Sequence, residues 1–217
     1  MITAYGNFEA RLPNGLKYQF SPSLENISKL GSSEEIINVF SRVFCIPAAE
    51  WVKSIGHNST YFDKVKKHAG HDSLRASILV LQCCCDGDVT AMVGGWKYSR
   101  GKLIYQPAFE SPQTIITLAE HLLRHGVTGT SKKKRKQSQT KKTADFNPSE
   151  YANTARVHLN MTRDEAWSLT VSEFVDLMDA KFPDVDENGN ERYFINREEY
   201  DRKMKQAKEL RDRVGVH

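Results

Sequence analysis

Phe8, Ala10 and Leu12 alternate with less buried-looking neighbours, Pro13-Asn14-Gly15 interrupts them, and Leu16, Tyr18 and Phe20 alternate again. A period of two on both sides of a turn tripeptide predicts a β-hairpin with one apolar face. The period then lengthens. Ser21-Pro22 opens a short helical turn with Leu24, Ile27 and Leu30 on one side before Gly31. Ser32 and Glu35 form a capping-box pair, and Ile36, Val39, Phe40, Val43 and Phe44 recur at helical spacing up to Pro47. The polar stretch that follows, with Trp51, His57, Tyr61, Phe62 and His68, carries little pattern.

Asp72 to Cys85 is the most apolar helix candidate. Leu74, Ile78, Leu81 and Cys85 share a face that Leu79 and Val80 widen, which predicts a helix through the core. Asp86-Gly87-Asp88 ends it, and Val89–Val93 reads as a strand running into Gly94-Gly95, a bulge or tight bend. Trp96-Lys97-Tyr98 and Leu103-Ile104-Tyr105 flank Ser99-Arg100-Gly101 as a second hairpin. Ser111 as N-cap, Pro112 in the first turn, and Ile115, Ile116, Leu118, Ala119, Leu122 and Leu123 mark a helix that Gly126 stops.

All apolar periodicity then vanishes. From Ser131 to Thr143, seven of 13 residues are Lys or Arg and none is acidic or apolar. Such a segment cannot bury enough surface to offset the ordering of its backbone, so it predicts a disordered, self-repelling tether. Beyond it the pattern is helical throughout. Asn147 to Glu150, Thr162 to Glu165 and Thr170 to Glu173 are capping-box patterns that mark helices near 148–159, 163–168 and 171–182. Tyr151, Ala155, Leu159, Met161, Trp167, Leu169, Phe174, Leu177, Met178 and Phe182 supply a small core up to Pro183. Asn196 caps a last helix with a thin stripe of Tyr200, Met204, Ala207, Leu210 and Val214, suited to packing on another body, so self-association stays open. The fold class read here is an α+β N-terminal domain (1–130), a basic flexible linker (131–144) and a small all-α C-terminal domain (145–217).

Charge sharpens this division. Residues 1–130 carry 13 basic and 11 acidic side chains, and residues 145–217 carry 11 and 16. The basicity of the chain therefore belongs to the tether. No stretch approaches the roughly 18 apolar residues of a membrane span, and the start lacks a basic n-region with an apolar run. The four cysteines, Cys45 and Cys83-Cys84-Cys85, lack the spacing of a disulfide framework, which points to the cytosol.

Candidate chemistry is thin. Asp184, Asp186, Asn188 and Gly189 match the opening of a calcium-binding EF-hand loop, but its closing bidentate Glu is Ile195 here and its usual apolar position is Glu191, so a polar turn is the better reading. His68 and His71 with the three adjacent cysteines lack any CxxC pair, and neighbouring cysteines diverge around a helix. Cys45 reads as a small core residue rather than a nucleophile. Lys132, Lys133, Lys134, Arg135 and Lys136 would attract phosphates, making nucleic-acid binding the competing reading. The tether has no aromatic residue for stacking, which argues against specific recognition. Neither cofactor, metal nor catalysis is expected, and what remains is a protein that binds other proteins.

Met161, Trp167, Leu169, Thr170, Glu173 and Phe174, within residues 155–182, resemble a segment of the tail assembly chaperones of long-tailed phages. In these an apolar helix, a short capped turn with Trp, and Leu-Thr-x-x-Glu-Phe follow one another. The first 40 residues resemble the accompanying N-terminal region more loosely. The resemblance implies a non-catalytic adaptor that keeps the tape-measure protein soluble and recruits tail-tube subunits. It would act in the cytoplasm of the infected host and be absent from the mature virion. Such proteins often occur in a short and a frameshifted long form, and Lys132-Lys133-Lys134 sits where an adenine-rich slippery site would fall. Trp167, Leu169, Phe174, Leu177 and Phe182 are the implied partner-binding residues. The charged extension 184–217 has no counterpart in the resemblance.

Overall fold

A computed structural model describes residues 5–45, 62–130 and 146–182. The basic run Lys132–Arg135–Lys136, the Asp184–Gly189 loop and the expected last helix lie outside the described residues. β1 (Phe8–Arg11) and β2 (Lys17–Phe20) form the first hairpin, with Phe8 opposite Phe20 and Ala10 opposite Tyr18. Its apolar face is buried, and the Phe8 and Phe20 rings stack at 4.7 Å. α1 (Leu24–Ser28) follows, capped by Ser23 rather than by Ser21. Ser23 Oγ accepts from Asn26 N, while the Ser21 carbonyl accepts from the Asn26 side chain.

α2 (Ser33–Val43) shows the expected box in full: Ser32 Oγ accepts from Glu35 N, and Glu35 accepts from Ser32 N at 2.7 Å. It stops short of Pro47, with Cys45 at φ 53°. α3 (Phe62–Cys83) starts ten residues earlier than its apolar pattern indicates. Its buried side chains, among those described, are Ser73, Leu74, Ala76, Ser77, Val80 and Leu81, whereas Leu79 is 43% exposed. Small residues on the packing side let α3 lie close to α5 (Pro112–Leu123), its most extensive partner. Across α2 and α3, Arg42 Nε and Nη2 grip Asp72 at 2.9 and 2.6 Å, and Ser73 Oγ donates to the Val43 carbonyl.

Val89–Val93, expected as a strand, is not one: Thr90–Val93 forms the short helix α4. Asp88 Oδ1 accepts from Thr90 N at 3.0 Å, a local side-chain-to-backbone turn that competes with strand formation just before the helix. β3 (Gly95–Ser99) and β4 (Lys102–Gln106) form the second hairpin, turned through Arg100 and Gly101 at φ 50° and 75°. Positive φ at both loop residues matches the right-handed twist of the strands. Gly94 at φ 79° leaves no room for a Cβ, which would run into the Gln106 carbonyl.

α5 is capped by Ser111 and buries Ile115, Ala119, Leu122 and Leu123. Gly126 does not stop it. The chain continues through a π turn (Arg124–Thr128) and breaks at Gly129, at φ 68°. A Cβ on Gly126 would lie 2.8 Å from Ile27 Cδ1, so its value is close approach to α1. α6 (Pro148–Leu159), α7 (Arg163–Ser168) and α8 (Val171–Lys181) occupy the expected places. Asn160 takes the left-handed conformation that ends α6.

By contacts, one compact unit comprises Met1–Asp176 and the other Leu177–His217. Within the first unit α1 packs on both α6 and α7. These contacts join positions some 140 residues apart and leave no local signal. In the second unit only Leu177–Phe182 is described. Mixed helix and small sheets make the described fold α+β.

Candidate functional site

The capped helices α6 to α8 meet the rest of their unit along a polar seam. Leu24 N donates to the Leu169 carbonyl at 2.8 Å, and Ser23 pairs with Thr170 as an isolated bridge. Ser23, Thr170 and Ser172 are all buried there. Ser172 Oγ accepts from Thr130 N at 3.0 Å and lies 2.9 Å from His125 Nδ1. His121 follows, its ring 4.8 Å from that of His125 and 5.9 Å from Phe8. Burial pulls both imidazoles below their ordinary pKa. The seam has the look of a Ser–His pair, but Ser172 is 1% exposed, so it ties elements together rather than meeting a substrate.

On the outer side of this junction α1 and α7 leave an open groove of about 490 Å³, lined by Glu25, Ser28, Arg163, Asp164 and Trp167. The Thr162–Glu165 capping box fixes the start of α7 and hence the direction in which Trp167 leaves it. Trp167 is half-buried, while Glu25, Arg163 and Asp164 are exposed. An indole wall with charges of both signs at the rim suits a peptide surface with an apolar anchor and polar flanks.

The implied partner-binding residues separate in space. Leu169 and Phe174 are buried in the core of their own unit. Trp167 lines the groove. Leu177 is half-buried and Phe182 is 51% exposed, both in the second unit. Glu25 and Asp164 carry no local signal of a shared role, because their proximity comes from the docking of α7 on α1.

Elsewhere, burial pushes the Cys83 and Cys84 thiols up, which keeps them protonated and poorly nucleophilic. Among the described residues no three His, Cys, Asp or Glu side chains converge as metal ligands, and His71 instead faces the Trp96 ring at 6.2 Å. No described helix is long and apolar enough to cross a membrane.

A family model described as a family of unknown function, DUF6246, matches residues 20–202. The chain belongs to that family. The DUF6246 match runs from the last residue of β2 past α8, so it takes in α1, the groove and the seam together. No curated protein matches the chain. No solved structure matches it either.

Proposed function

We propose that this DUF6246 protein is a non-catalytic adaptor of the tail assembly chaperone kind, which holds the tape-measure protein in solution and brings tail-tube subunits to it. The observation that carries the reading is Trp167, half-exposed in the α1–α7 groove and set there by the same capped turn that bears the resemblance. Leu169 and Phe174, two further members of that motif, stabilise the turn from within. The groove accepts an apolar side chain on the indole while its rim selects polar flanks, a mode suited to a helix presented by a long helical partner. Phe182 offers a second apolar contact from the Leu177–His217 unit.

The test is co-expression with a tape-measure protein, the long helical partner this reading names. The full chain should raise the soluble fraction of that protein. Trp167→Ala should lower it, as should Asp164→Lys, an exposed change that leaves the core alone. Equal rescue by both variants and the parent chain would refute this assignment.

A further inference from the structure

The second hairpin carries surface that the fold does not use. From Val89 to Phe109 the chain has Lys97, Arg100 and Lys102 and no Asp or Glu. The register sets Trp96 opposite Tyr105 and Tyr98 opposite Leu103, which places Trp96, Tyr98 and Tyr105 on one face. The root of that face is packed. The Trp96 ring lies 5.2 Å from Tyr105 and 6.0 Å from the Arg75 guanidinium of α3, and the Tyr105 hydroxyl donates to the Val93 carbonyl. Towards the tip Tyr98 is 72% exposed, and on the opposite face Ile104, across from Lys97, is 50% exposed.

Basic side chains of α3 adjoin the root of this arm, where His71 and Arg75 lie 6.2 and 6.0 Å from the Trp96 ring. Lys67, His68, His71 and Arg75 are exposed on successive turns of α3. Asp72, which lies among them, is committed to Arg42. Lys97 and Arg100 make no ion pair among the described residues.

We propose that the β3–β4 arm and the adjoining face of α3 bind single-stranded nucleic acid, with a base stacked on Tyr98 and phosphates held by Lys97, Arg100 and Arg75. An exposed ring among cations has the two elements such binding needs: a π surface for any base and positive charge for the backbone. A duplex hides the base faces and polyglutamate carries no aromatic ring to stack, so charge alone would leave Tyr98 unexplained. The arm is separate from the Trp167 groove and does not depend on the adaptor reading.

Anisotropy of a fluorescein-labelled oligothymidylate of about 20 nucleotides, a span of one to a few binding sites, tests this with the full chain. Lys132–Lys136, Lys141 and Lys142 are replaced by Gln so that the tether adds no positive charge. The Gln-tether chain should bind. Tyr98→Ala should then weaken binding about 5- to 100-fold, while Tyr98→Phe, which keeps the ring, should retain it. Lys97→Gln with Arg100→Gln should reduce the slope of log affinity against log salt by about 1.4, two single-strand phosphate contacts. Loss of all binding with the tether lysines, an unchanged affinity in Tyr98→Ala, or equal competition by a blunt duplex or polyglutamate would each overturn the proposal.

Discussion

Phe8–Phe20 and Gly95–Gln106 are both short antiparallel hairpins with an aromatic face, yet one is sealed and the other stands out into solvent. In the first, Phe8, Tyr18 and Phe20 are each at most 8% exposed, α5 lays His121 on Phe8, and Phe20 bridges to Cys85. In the second, Trp96 and Tyr105 are covered, and Tyr98 is left bare. A lone two-stranded ribbon is marginal in water. The first hairpin gains its stability by joining the core, whereas the second is fastened at its root alone. Alternation along a strand thus says which residues share a face, while later elements decide whether that face is covered.

The comparison breaks most sharply under matched truncations. Phe20→Ala should lower unfolding free energy by about 3–5 kcal/mol, because it removes a 2%-exposed ring from a stacked pair. Tyr98→Ala should change it by about 0.5 kcal/mol or less, as a solvated ring has little to lose. Urea denaturation of both variants measures the difference. Similar losses would mean that the second arm is covered too.

The same contrast marks how far the amino-acid sequence can be read. Caps were legible: Ser32 with Glu35, Ser111 with Pro112, and Thr162 with Glu165 each open the helix they predict, because cap chemistry is local. Helix faces were less so. Leu79 looks like core and is exposed, while Ser73 and Ser77 look like surface and are buried, since close packing of α3 favours small side chains over apolar ones. Gly126 reads as a helix stop because its partner Ile27 lies 99 residues away. For the candidate site, Trp167 was legible as an aromatic on a capped turn. The groove was not, since it needs Glu25 and Ser28 from the opposite end of the unit.

A second test asks how firmly the exposed arm is rooted. Gly94, at φ 79° and ψ −164°, occupies a region open essentially to glycine, and a Cβ there would meet backbone rather than a flexible side chain. Gly94→Ala should therefore cost about 1–3 kcal/mol, and hydrogen exchange should rise in β3 and β4 while β1 and β2 keep their protection. Gly15→Ala is the matched change in the first hairpin's turn, at φ 86° with open space around it. It carries conformational strain without the clash, so it should cost less. An unperturbed second hairpin in Gly94→Ala would mean that its root tolerates rearrangement.

The smallest effect is acid sensitivity, and it should fall on one hairpin alone. His121 and His125 have pKa values lowered first of all by burial, and His121 Nε2 is buried without a hydrogen-bond partner among the described residues. The native state therefore holds both rings neutral where the unfolded chain, with histidines titrating near 6.5, takes up protons. Above that pH neither state is protonated and nothing is lost. As pH falls through about 6.5 towards the lowered native values, the unfolded state binds more protons and stability declines. Glu173 opposes this at lower pH, since burial raises its pKa and its protonation favours the native state. The clean window thus lies just below neutrality, above the range of the carboxylates. There the midpoint of urea unfolding should drop shallowly, and protection should fade in β1, which His121 touches through Phe8, before it fades in β3. His121→Gln should flatten that slope. A slope left unchanged by the substitution, or one that loosens β3 first, would place the sensitive group outside the sealed hairpin.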